Sequence, residues 1–189
     1  MYRPGITEKR FLNKRFMRTE KDILEVFLRQ DDNITIDEMA QKVGVARSTI
    51  YHHHRAVWMI VPDYKKFIHG KFRRQVRRML RDKNVRMKSL YMSLILFIAQ
   101  YRDIFDLFSK RDERDVVTTM LNEMLPKSER AMHLPKNSET ILAAYTGEVT
   151  ELIWRWIKNG CQTDEIEKLL GYIMYLTDTA RDRLKPLLD

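Results

Sequence analysis

The chain has 189 residues, 44% of them apolar and 32% charged, with a formal net charge of +9 at neutral pH. That is enough apolar mass for one full-sized core, or a small domain on a larger one, without a disulfide or metal staple. The single cysteine, Cys161, has no internal partner and points to a reducing cytoplasm, and no apolar run, that of residues 94–99 included, is long enough to span a bilayer.

Six glycines, five prolines, abundant helix formers and no β-branched alternating run predict an all-α fold. The N-terminus is basic and lacks the apolar core of a signal peptide. Arg3, Lys9, Arg10, Lys14, Arg15 and Arg18 precede a first predicted helix over residues 19–30, in which Ile23, Val26 and Phe27, with Leu24, form the inward stripe. Two readings of this leader stand: an arm lying along phosphates or in a minor groove, or a solvated tail.

Residues 34–57 read as two short helices around a glycine turn. Thr35 is an N-cap and Glu38, three residues on, completes a capping box. Ile36, Met39, Ala40 and Val43 make the apolar stripe of the first helix. Gly44 takes the positive φ that ends it, and Val45 plugs the angle to the second, residues 46–54. Arg47, Ser48, Tyr51 and His52 share one face of that second helix, with Ile50 opposite. Two ordinary amphipathic helices would share the periodicity, but not the lone glycine followed by a polar, aromatic and basic face, which favours a helix-turn-helix.

The same residues resemble the DNA-binding motif of TetR-type transcriptional regulators, approximately T-x-x-x-I-A-x-x-A-G-V-S-x-x-T-L-Y-x-H-F-x-S-K. Thr35, Met39, Ala40, Val43, Gly44, Val45, Thr49, Ile50, Tyr51 and His53 stand in register with it, and residues 18–30 are similar to the family's first helix. The chain departs from the pattern at three positions. Ala46 replaces the usual capping serine, which weakens that cap by about 1 kcal/mol. His54 stands at an inward phenylalanine, and Val57 at a lysine that reaches a phosphate. An imidazole turned inward needs a hydrogen-bond partner; if it is buried neutral, charging it in acid would loosen the domain.

Downstream, Pro62 with Asp63 marks a helix start or kink. Lys65, Lys66, Lys71, Arg73, Arg74, Arg77, Arg78 and Arg81 surround an apolar stripe of Phe67, Val76, Met79 and Leu80. Residues 1–83 hold twenty Lys and Arg against ten Asp and Glu, and residues 84–189 fifteen against sixteen. The positive charge is thus N-terminal, as expected of a nucleic-acid reader joined to a neutral sensing or assembly half.

From residue 84 the chain reads as a bundle. A central buried helix spans 91–101, two shorter ones 103–110 and 112–125, and a loop follows from Pro126 to Asn137. A long helix runs to Lys158, closed by Asn159 and Gly160, and Thr163 opens the last, to about Leu184. The last pair is similar to the two helices through which TetR-type regulators dimerise.

Residues that carry chemistry are sparse. His52, His53 and His54 are consecutive and point about 100° apart on a helix, so they do not converge on one metal. The sequence holds no nucleophile elbow, phosphate loop or paired-cysteine spacing, which argues against an enzyme, a metal or a cofactor. The resemblance implies a cytoplasmic homodimeric DNA-binding regulator, repression being the expected sense. Residues 1–56 would bind a near-palindromic duplex, and residues 57–189 would dimerise and receive an apolar or aromatic effector. Arg47, Ser48, Tyr51 and His52 are the expected base or phosphate contacts, with Thr35, Thr49 and His53 positioning on the backbone. Tyr91, Phe97, Tyr101, Phe105, Phe108, Met120, Met124 and Tyr145 are the effector-pocket candidates. Trp154, Ile157, Leu169, Ile173 and Leu176 are the dimer candidates. The alternative is a DNA-binding adaptor governed by a protein partner and lacking a small-molecule pocket.

Overall fold

The computed structural model describes residues 14–30, 34–82, 84–132 and 139–184. The N-terminal part of the basic leader and the end of the expected loop at 126–137 lie outside them. The architecture is all-α, with no strand among the described residues. The helices are α1 (Lys14–Leu28), α2 (Ile36–Val43), α3 (Arg47–His53), α4 (Ile60–Met79), α5 (Met87–Gln100), α6 (Arg102–Lys110), α7 (Asp115–Met132), α8 (Glu139–Lys158) and α9 (Ile166–Leu184). Single 3₁₀ turns precede α4 (Val57–Met59) and α9 (Thr163–Glu165). The chain forms two compact units, Met1–Ile68 and His69–Asp189.

In the first unit the local signals act as the chemistry requires. The Glu38 N–H donates to Thr35 Oγ1 at 3.2 Å and the Thr35 N–H donates to Glu38 Oε2 at 2.8 Å, so two orphan donors of α2 are satisfied reciprocally. Gly44, at φ 74°, ends α2 in a Schellman turn: its N–H donates to the Gln41 carbonyl, and the Val45 N–H to that of Ala40. Ala46 leaves α3 without a side-chain cap. Ile23, Leu24 and Phe27 of α1 are buried, as are Met39, Ala40 and Ile50. Pro62 sits in the first turn of α4, where no intrahelical N–H bond is lost.

In the second unit α8 packs against α6, α7 and α9, and α9 also packs on α5. Leu94, Ile95 and Ile98 of α5, Val117, Met120 and Leu121 of α7, and Val149 and Ile153 of α8 are all fully buried. The loop expected from Pro126 does not begin there, since α7 continues to Met132. A proline removes one ladder bond and crowds the carbonyl four residues back, which penalises a helix without forbidding it.

Candidate nucleic-acid interface

α3 presents Arg47, Ser48, Tyr51 and His52 on its exposed side, and Tyr51 keeps 43% of its surface. Ile50, opposite, is wholly buried and anchors the helix, while Thr49 is half-buried at the edge. Thr35 is exposed, but its hydroxyl is engaged by the cap and donates to Glu38 Oε2 at 2.8 Å. Asp37, in the first turn of α2, lies beside α3: Arg47 Nε is 2.6 Å from Asp37 Oδ1. A hydrogen bond with Tyr51 and the charge of Asp37 raise the Arg47 pKa above its ordinary value.

His53 does not share the exposed face of α3. It is 4% exposed, its ring stacks on Phe16 at 4.0 Å, and its Nδ1 lies 2.6 Å from Glu20 Oε1. A side chain so placed holds α3 to α1. His54 is also buried and is sandwiched, with Nδ1 donating to Asp63 Oδ2 at 2.9 Å and Nε2 3.4 Å from Glu20 Oε2. The Tyr64 hydroxyl donates to Glu20 Oε2 at 2.7 Å. One carboxylate of α1 therefore collects groups from α3, its C-cap and α4, and fixes α3 from behind.

Glu20 was not singled out from the sequence, although the signal is present. It stands three and seven residues before Ile23 and Phe27, on the apolar stripe of α1. A charge on such a stripe implies a buried partner.

In the second unit the proposed pocket residues form packed core. Tyr91, Phe97, Phe105, Phe108, Met120, Met124 and Tyr145 are buried, and Tyr101 is half-buried. Phe97 packs on Phe72 and Tyr101, and Phe105 meets Phe108 edge-on at 5.7 Å. The Tyr91 and Tyr145 hydroxyls are 2.5 Å apart, the Tyr145 and Thr177 hydroxyls 2.5 Å apart, and Thr177 Oγ1 donates to the Ile173 carbonyl. This closed chain ties α5, α8 and α9 together. An open hollow of about 460 Å³ elsewhere on this unit is lined by Gln75, Met79, Lys88, Ser89, Met92, Ser93, Leu96 and Leu170, none of them expected.

The residues expected at a dimer contact are placed differently. Trp154, Ile157, Leu169 and Ile173 are at most 6% exposed and belong to the unit's own core, and Leu176 is half-buried. Among the side chains that α8 and α9 leave exposed or half-buried are Leu152, Tyr172, Tyr175 and Leu176. These line a second open hollow, of about 630 Å³, together with Gly147, Glu148, Glu151 and Arg155.

The charge is shared more evenly than a division after residue 83 implies. Residues 1–68 carry thirteen Lys and Arg against nine Asp and Glu, and residues 69–189 twenty-two against seventeen, because the basic second half of α4 belongs to the second unit. Arg73 there pairs with Glu123. Among the described residues no group of three or more His, Cys, Asp or Glu is arranged to hold a metal ion, and no helix is long and apolar enough to cross a membrane. Cys161 is buried, and burial pushes its thiol up to about 11.

No family model matches the chain, and no curated protein matches it by sequence. Its fold is similar to that of a solved protein described as a TetR-family transcriptional regulator from Streptomyces coelicolor, with a TM-score of 0.51 and 14% identity over 94% of this chain and 84% of that one.

Proposed function

We propose that the protein is a dimeric, sequence-specific DNA-binding transcriptional regulator, acting as a repressor. The observation that carries this reading is the capped helix-turn-helix of α2 and α3, which is anchored from behind by Ile50 and Glu20 and turns Arg47, Ser48, Tyr51 and His52 outward. Such a side-chain set suits base edges and phosphates, and the likeness in fold to a TetR-family regulator agrees with it. One such helix spans too few base pairs for specific affinity, so two copies act together through the face of exposed Tyr172 and Tyr175 with half-buried Leu152 and Leu176. Residues 1–56 would then bind DNA, and residues 57–189 dimerise and receive the signal.

Selection of bound duplexes from a random-sequence pool tests the reading. The expected product is a near-palindrome with half-sites about one helical turn apart. A folded chain that enriches no sequence overturns it.

The signal is open to a second reading. An apolar or aromatic effector at the expected pocket would have to enter among side chains that are already buried, which supports a protein partner as the input. Thermal shift with apolar and aromatic compounds separates the two: a compound that raises the melting temperature and releases DNA restores the small-molecule form.

A further inference from the structure

Asp37 and Arg47 come from the two arms of the helix-turn-helix, and Arg47 Nε approaches Asp37 Oδ1 to 2.6 Å although each side chain is 61% exposed. Ion pairs this exposed add little to stability, so their effect lies in where they hold the guanidinium. Arginine is long and rotamer-rich, and ordering it at an interface costs affinity unless it is ordered beforehand. A carboxylate on Nε does that without engaging the two terminal nitrogens itself, and Tyr51, on the same exposed face, is a second partner of the same guanidinium. The carboxylate also changes what the terminal nitrogens prefer. A guanidinium already balanced by a carboxylate attracts a phosphate weakly, because phosphate and Asp37 repel each other. A neutral pair of acceptors meets no such repulsion. In the major groove only guanine presents two acceptors side by side, O6 and N7.

We propose, building on the DNA-binding reading above, that Asp37 is a specificity-determining residue: it holds Arg47 for bidentate recognition of a guanine and suppresses its use on backbone phosphate. The two halves of this proposal make opposite demands on one substitution. Removing the carboxylate should loosen the selected duplex and tighten a scrambled one. A merely structural Asp37 would weaken both, and simple removal of negative charge would tighten both.

The experiment takes the duplex that wild-type protein selects from a random pool, the same duplex with each guanine replaced in turn, and a scrambled duplex. Affinities are measured for wild type, Asp37→Asn, Asp37→Ala and Arg47→Ala. Expected is a fall of roughly tenfold or more in the ratio of selected to scrambled affinity for both Asp37 variants, the scale of one bidentate base contact. Preference should be lost at one guanine position, the same one that Arg47→Ala erases. An unchanged ratio, or a change that moves both duplexes in the same direction, overturns the proposal while leaving the DNA-binding reading intact. A wild-type chain that selects no sequence overturns both.

Discussion

His54 and Asp63 are nine residues apart in the chain and 2.9 Å apart in space, Nδ1 to Oδ2, and the other ring nitrogen of His54 faces Glu20 at 3.4 Å. Burial alone would lower the pKa of this imidazole, but the hydrogen bond to Asp63 and the close carboxylate of Glu20, with the charge of both, raise it from 6.5 to about 9. Glu20 answers in the opposite sense. Burial would raise it, yet the bonds from His53 and Tyr64, with the closeness and charge of His54, bring it from 4.5 down to about 2. The idea that acid charges a neutral His54 and loosens the domain is thereby reversed, since the folded protein already holds that proton at neutral pH.

The pH dependence follows in sign. Stability from His54 is fully present below pH 6.5 and is lost as pH rises through about 9; stability from Glu20 is fully present above pH 4.5 and is lost as pH falls toward 2. The two shifts describe one interaction from either end and do not add. Removing one member of a buried pair costs about 3 kcal/mol. Thermal melts of wild type and His54→Phe between pH 4 and 10 should show a less stable variant that lacks the alkaline decline. Parallel curves for the two proteins would remove His54 from the account.

The Schellman turn gives a second test. Gly44 sits at φ 74° with nothing within 4 Å of where a Cβ would be, so an alanine there meets backbone strain and no clash. Gly44→Ala should destabilise by about 1 to 2 kcal/mol and Gly44→Asn by less, since asparagine tolerates the left-handed region. Hydrogen exchange of the α2 and α3 amides reads this directly. Equal protection in both variants and wild type would mean that the turn relaxes out of the left-handed conformation.

The hydroxyl chain in the second unit has a middle and an end, which predicts an order. Tyr145 bonds to both Tyr91 and Thr177, so Tyr145→Phe strands the Tyr91 hydroxyl and leaves Thr177 only its bond to the Ile173 carbonyl, whereas Tyr91→Phe leaves the Tyr145 to Thr177 contact in place. The first should cost about 1 to 3 kcal/mol and the second about 1 kcal/mol or less. Urea denaturation of the two variants checks the order, and a larger loss for Tyr91→Phe would contradict the geometry.

What could be read from the chain beforehand follows the range of each physical signal. The Thr35 and Glu38 box, the turn at Gly44 and the bare cap at Ala46 are settled within four residues of backbone, and all are found as the sequence predicts. The end of α7 is not, because Pro126 penalises a helix by an amount that surrounding packing overrides. Nor is the inward turn of His53, whose partner Glu20 lies 33 residues away. Nor is the seam between the compact units, which falls after residue 68, inside α4, whereas the contrast in charge along the sequence falls after residue 83.

The placement of α9 shows the same limit and leads to the last prediction. Its period groups Leu169 and Ile173 into one stripe and Tyr172 and Tyr175 into another, with Leu176 between them, and periodicity does not say which stripe faces the helix's own core. Leu169 and Ile173 face inward, at 6% and 0% exposure, while Tyr172 and Tyr175 keep 53% and 70%. Glutamates at 169 and 173 would therefore break the unit's core and unfold it, and a resulting loss of dimer would say nothing about an interface. Tyr172→Asp with Tyr175→Asp instead places charge on the exposed face, leaving core contacts untouched. In the proposed two-fold dimer four carboxylates would meet across the axis, where like charges are costly. Sedimentation velocity at micromolar concentration should give a dimer for wild type and a folded monomer, with unaltered helical circular dichroism, for this double variant. The monomer should also lose affinity for the selected palindrome far more than for a single half-site. A folded double variant that still sediments as a dimer would place the contact on another face of the protein.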